Sequence, residues 1–104
     1  MRTVAETKVF RRYAAGIWTD AELSEFISWI AKNPMAGDLI PGSGGCRKVR
    51  WSIKGQGKRG GARVVYFCAS NDVIWLLIVY TKAKLDTLSA AFLSELRKGI
   101  EDVL

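Results

Sequence analysis

The stretch Val73–Tyr80, VIWLLIVY, runs eight residues without a polar break. It is far short of the roughly 20 residues a membrane-spanning helix needs. As an extended segment it is apolar on both faces, which describes a central strand covered by helices. In a chain of 104 residues such a strand commits most of the remaining sequence to covering it. The expectation is a single domain over residues 1–104, with any functional site on the surface of its one core. A composition of 49% hydrophobic and 25% charged residues suits a folded chain and argues against disorder.

The flanking elements follow from periodicity and from the residues that end them. Thr3–Ala5 reads as a short strand and residues 8–15 as a helical turn or two, ended by Gly16. TDAE at 19–22 fits a capping box, in which Thr19 accepts from a first-turn amide while Glu22 reaches back to the Thr19 amide. Leu23, Phe26, Ile27 and Ile30 then recur at helical spacing, and Asn33-Pro34 stops the helix. MAGDLIPGSGG, residues 35–45, reads as a loop, after which the period changes to two. Between Cys46 and Lys54 the positions Val49, Trp51 and Ile53 are apolar while Lys48, Arg50, Ser52 and Lys54 alternate with them, giving one buried and one solvent face. GQGKRGG, residues 55–61, connects this strand to a second at Ala62–Ala69, and SND turns the chain into the apolar run. Ser89 can cap a last helix carrying Phe92, Leu93, Leu96, Ile100, Val103 and Leu104 on one face. The fold class is therefore α+β, with N-terminal helices and a C-terminal helix packed on a small antiparallel β-sheet.

Charge is concentrated where the glycines are. Of the net charge of +6, seven basic residues lie between Leu39 and Asn71: Arg47, Lys48, Arg50, Lys54, Lys58, Arg59 and Arg63. No carboxylate accompanies them, so the rest of the chain sums to −1. Such a field favours a polyanion, and nucleic acid ahead of a membrane surface because the stretch is no amphipathic helix. If the two strands pair, Lys48, Arg50 and Lys54 share a face that Arg63 joins when the register permits, with Lys58 and Arg59 on the loop at its end. Guanidinium groups supply bidentate phosphate contacts there, and crowded cations disfavour one another's protonation, which makes Lys54 a candidate proton carrier near neutral pH.

Other chemistries lack their parts. The chain has no histidine, and Cys46 and Cys68 stand 22 residues apart without a metal-binding spacing, so zinc, a serine-type triad and a metal-dependent nuclease are all disfavoured, and no cofactor is expected. Both cysteines read as core thiols, with a disulfide left open. GQGKRGG lacks the ending and the strand-to-helix setting of a phosphate loop. Trp29, Trp51 and Trp75 read as packing residues, whereas Tyr66 and Tyr80 combine a core-like ring with a hydroxyl that needs a partner. The opening residues carry no apolar stretch of the signal-peptide kind, and the reading is a cytoplasmic protein without a membrane partner.

GDLIPGSGGCRKVRWSIKGQGKRGGARVVYF, followed by the apolar strand and VYTKAKLDTLS, resembles the HigB-like branch of the RelE superfamily, toxins of type II toxin–antitoxin modules. The resemblance implies a small RelE-like domain. It also implies a ribosome-dependent mRNA endoribonuclease, an mRNA interferase that inhibits translation without a metal. In that chemistry the ribose 2′-hydroxyl attacks the neighbouring phosphate. The implied partners are mRNA on the ribosome and a cognate antitoxin, often one with a helix-turn-helix DNA-binding domain. By position, Arg50 and Lys54 match the family's basic strand, Arg63 its phosphate-contacting arginine and Lys82 the lysine after the apolar strand. Tyr80 joins them as a candidate catalytic residue, and Arg47, Lys48, Lys58 and Arg59 as RNA-binding residues. Where well-known members carry a further arginine and a tyrosine, this chain has Leu85 and Ser89, which leaves the general acid open among Tyr66, Tyr80 and Lys54. Two other readings stand beside the interferase: a ParE-like toxin that inhibits gyrase, and a non-catalytic basic RNA- or ribosome-binding domain.

Overall fold

The computed structural model describes residues 2–51, 61–81, 92–94 and 96–98. Its elements in chain order are β1 (Thr3–Glu6), α1 (Lys8–Ala14), α2 (Asp20–Lys32), β2 (Asp38–Leu39), β3 (Cys46–Trp51), β4 (Ala62–Cys68) and β5 (Val73–Thr81). Residues 92–94 and 96–98 are helical. The five strands form one sheet in the order β1-β5-β4-β3-β2. The α+β class is the one read from the sequence, and β3, β4 and β5 make the expected antiparallel meander.

Two features of the sheet depart from the reading. β1 lies beside β5 in parallel, from Thr3 opposite Val73 to Glu6 opposite Leu76, so the sheet is mixed. The stretch read as a loop contains β2, which pairs antiparallel with β3 and sets Asp38 opposite Lys48. Two residues carry no periodicity, so the strand left no trace in the sequence pattern.

β1 hands over to α1 at Thr7. Its backbone N–H donates to Leu76 O at 3.2 Å, and its hydroxyl donates to the carbonyls of Leu76 and Leu77, at 2.9 and 3.2 Å. The same hydroxyl accepts from Phe10 N at 3.1 Å, capping the helix. Leu77 needs the outside partner because β5 carries a bulge there: Val65 faces Ile78 while Tyr66 faces Leu76, and Leu77 is skipped. The bulge reverses the alternation of the strand. Leu76 and Val79 turn to one face, and Leu77, Ile78 and Tyr80 to the other.

The capping box at α2 forms as expected, with Glu22 N donating to the Thr19 hydroxyl at 3.2 Å and Thr19 N to Glu22 Oε1 at 2.8 Å. α2 ends at Asn33, before Pro34. Its buried side contributes Phe26 and Ile30 to a core with Phe10, Trp18, Val64 and Ile74. A chain of rings runs through this core, with Trp51 against Phe26 at 5.3 Å and against Trp29 at 5.0 Å between centroids. These tryptophans are packing residues, as read.

The opposite face carries a second core of Cys46, Val65, Leu77, Ile78, Tyr80 and Leu93, with Phe67 and Leu96 against it. The expectation of one buried and one solvent face for β3 therefore fails at its start, where the even position Cys46 is fully buried. The C-terminal helical residues close over it: Cys46 Sγ lies 3.9 Å from Leu93 O, and the Arg97 guanidinium sits 4.6 Å from the centre of the Phe67 ring. Phe92, expected on the buried face, is 42% exposed, and Ser89, Ile100, Val103 and Leu104 lie outside the described residues. Both cysteines are free thiols on opposite faces of the sheet, and no disulfide joins them.

Glycines in this region serve the turn and one close approach. Gly44 and Gly45 adopt φ of 80° and 104°, which side chains resist, between Ile40 and the start of β3. At Gly37 a Cβ would stand 2.8 Å from the Tyr66 hydroxyl and 2.9 Å from Lys48 O, so only glycine fits.

Candidate functional site

The register of the meander builds a row across three strands. Arg50 of β3 lies opposite Arg63 of β4, and Arg63 opposite Tyr80 of β5. Directly opposed residues project from the same face of a sheet, with Cβ atoms about 4.5–5.5 Å apart. Arg50 is exposed and Arg63 half-buried. Among the described residues neither is in an ion pair; the pair formed there is Arg2 with Asp72, at 3.3 Å. Two like charges directly opposite one another destabilise a sheet, so this pairing costs the fold something that an anion between them would relieve.

Tyr80 ends the row. The bulge at Leu77 is what brings its side chain to the arginine face, and it is 3% exposed. Burial pushes its phenol above the ordinary value of 10.0, while the nearby Arg63 guanidinium pulls it back. At neutral pH it is a protonated O–H, able to donate. Its hydroxyl makes no hydrogen bond among the described residues.

The remaining expected site residues fall into four groups. Lys48 shares the face of Arg50, two residues along, but Asp38 stands opposite it on β2. A carboxylate from just outside the basic stretch thus stands across from Lys48 without forming an ion pair with it, whereas Arg50 and Arg63 face each other. Arg47, counted with the RNA-binding set, belongs to the other face. Its Nη1 donates to Gly37 O at 2.7 Å, because the close approach of Gly37 to β3 puts a carbonyl there. Lys54, Lys58, Arg59 and Lys82 lie outside the described residues. Tyr66, a candidate acid, is fully buried in structural service, accepting from Gly37 N and donating to Pro34 O, both at 2.8 Å. Burial raises its phenol too, against the opposing Gly37 hydrogen bond.

Beyond Tyr80 the row runs into a cavity of about 260 Å³ lined by Arg12, Tyr13, Gly16, Ile17, Tyr80 and Thr81. It forms because β1 ends opposite Leu76 and α1 takes its place beside the last part of β5. No pattern in the chain singles out Arg12 and Tyr13. They sit on an exposed helix side, and only the long-range packing of α1 on β5 carries them to the row.

Fold and site together define a small α+β protein with opposed arginines and a neutral phenol on one face of its sheet. The family described as the RelE toxin of the RelE / RelB toxin–antitoxin system matches residues 1–103, and the chain belongs to that family. It is thus a toxin of a toxin–antitoxin system, and the family implies an antitoxin as partner. Among solved structures it is similar to a copper-bound mutant toxin from Helicobacter pylori, at 20% identity and a TM-score of 0.45, over 82% of this chain and 99% of that one. No helix among the described residues is long and apolar enough to cross a membrane.

Proposed function

We propose that this toxin, of the HigB-like branch, is a metal-independent endoribonuclease that cuts mRNA on the ribosome in the cytoplasm. The observation that carries the reading is the row Arg50–Arg63–Tyr80, in which two opposed guanidiniums are followed by a buried phenol that is protonated at neutral pH. A scissile phosphate bound across the two arginines places its developing negative charge against fixed cations, which is where electrostatic catalysis acts. The 2′-oxygen bonds to phosphorus while the bond from phosphorus to the 5′-oxygen breaks. The proton of the 2′-hydroxyl leaves to a base, a proton reaches the departing 5′-oxygen, and the products are a 2′,3′-cyclic phosphate and a 5′-hydroxyl.

In this scheme Arg63 and Arg50 hold the phosphate, Lys54 carries a proton, and Tyr80 donates to a phosphate oxygen or to the leaving group. Lys82 joins the same site, while Lys48, Lys58 and Arg59 hold flanking RNA backbone. Arg47 drops out of the RNA-binding set because its guanidinium is engaged on the other face. The antitoxin, of the helix-turn-helix kind, would silence the toxin by covering this face.

The test is a cell-free translation reaction on a defined mRNA, mapped by primer extension with and without ribosomes, in EDTA, beside Arg63→Ala. Cuts that need ribosomes, survive EDTA and vanish in the variant are expected. Growth arrest without any cuts would replace this reading with gyrase inhibition, and a loss of binding that grows smoothly with salt, without turnover, would leave a binding domain.

A further inference from the structure

We infer that the cavity between α1 and the end of β5 is a nucleobase subsite, in which the nucleotide beside the scissile phosphate stacks on Tyr13 while Arg12 meets its backbone. The inference rests on the endoribonuclease reading for its placement, since Tyr80 is at once the end of the arginine row and a wall of the cavity.

Size and lining select the occupant. At about 260 Å³ the space is smaller than the roughly 300–1,000 Å³ that takes a drug-sized molecule, and it suits one planar ring system. Two tyrosine rings and Ile17 supply flat or apolar surface, Thr81 a hydroxyl and Arg12 a cation. Single-stranded RNA is read by this kind of set, with splayed bases stacked on aromatic rings and guanidinium planes. Tyr13 is 37% exposed and Arg12 beside it is exposed as well, so both are open to a ligand. Neither belongs to either core, so burial does not explain their presence. The order β3, β4, β5, α1 then reads as a track: two arginines, a phenol, and a base pocket with its own cation.

Gly16 makes the inference testable. A Cβ there would meet only Tyr13 O, at 3.9 Å, and Gly16 does not hold a left-handed backbone, so Gly16→Leu folds and fills the cavity. The probe is a trinucleotide RNA with the attacking 2′-hydroxyl replaced by hydrogen, titrated into the full chain and followed by amide NMR, beside inorganic phosphate. The RNA is expected to move the Tyr13, Gly16 and Ile17 signals, and phosphate only those around Arg50 and Arg63. Tyr13→Ala and Gly16→Leu should each weaken the RNA about tenfold, in line with the loss of one stacked base, and leave phosphate binding unchanged. In the ribosome assay the same variants should alter which base flanks the cut and raise KM more than they lower kcat. Identical shifts from RNA and phosphate, or unaltered RNA affinity in a folded variant, would overturn the subsite. A wild-type protein that cuts nothing would sink the endoribonuclease reading instead, and the titration would still decide the pocket.

Discussion

The two faces of the sheet use similar backbone to opposite ends. On the face under α2, Phe26, Trp18, Trp29 and Trp51 close into a run of rings, and the one buried phenol, Tyr66, has both its donor and its acceptor capacity used. On the other face, at the end away from the C-terminal helical residues, Arg63 has Arg50 for a neighbour, and the buried phenol of Tyr80 has no bond among the described residues. Satisfied groups stabilise; unsatisfied ones are available to a ligand. The contrast says which substitutions should damage folding and which should damage only function.

The largest effect should come from the packed face. Phe26→Ala removes a fully buried ring from the centre of the aromatic run and should cost about 3–5 kcal/mol, read as a fall in the urea midpoint. Arg63→Ala should leave that midpoint unchanged or higher while mRNA cleavage falls about 10²–10³-fold, the usual effect of removing one preorganised donor. If Arg63→Ala unfolded the protein, the division between the faces would be wrong.

Tyr66→Phe is a middle case, since it leaves Gly37 N–H buried without an acceptor and should cost about 1–3 kcal/mol. Alkali sharpens the same point. Burial raises the thiols of Cys46 and Cys68 above 9.0 and the phenols of Tyr66 and Tyr80 above 10.0, so the native state holds these protons more tightly than the unfolded chain. Their contribution is complete below the unfolded values and is lost as pH climbs through the higher folded ones. Stability should therefore begin to fall near pH 9, fall faster past 10, and fall less steeply in Tyr66→Phe. The smallest effect should be a gain: Arg50→Gln removes the like charge opposite Arg63 and should raise stability by roughly 0.2–1 kcal/mol, measured in low salt.

What could be read from the sequence was local. The Thr19–Glu22 box, the spacing of Phe26 and Ile30 and the unbroken run of β5 each name their element, because capping and periodicity are properties of neighbours in the chain. The parallel docking of β1, the two-residue β2 and the bulge at Leu77 are settled by partners dozens of residues away. The site divides along the same line. Alternation put Lys48 and Arg50 on one face and raised Arg63 as a partner, and the register set Arg63 opposite Arg50. Simple alternation from Val73 could not have set the face of Tyr80, since the bulge inverts it. Nor could it show that Arg47 would find the Gly37 carbonyl or that α1 would carry Tyr13 beside the row.

The opposed arginines also make the protein a reporter of its own occupancy. Anything that settles between Arg50 and Arg63 removes a repulsion present only in the folded chain, and it binds the native state in preference to the unfolded one. Thermodynamic linkage then ties melting temperature to the free concentration of any such ligand. Under the endoribonuclease activity proposed above, a toxin surrounded by RNA would be held folded by its targets, and the same molecule purified away from them would be at its least stable.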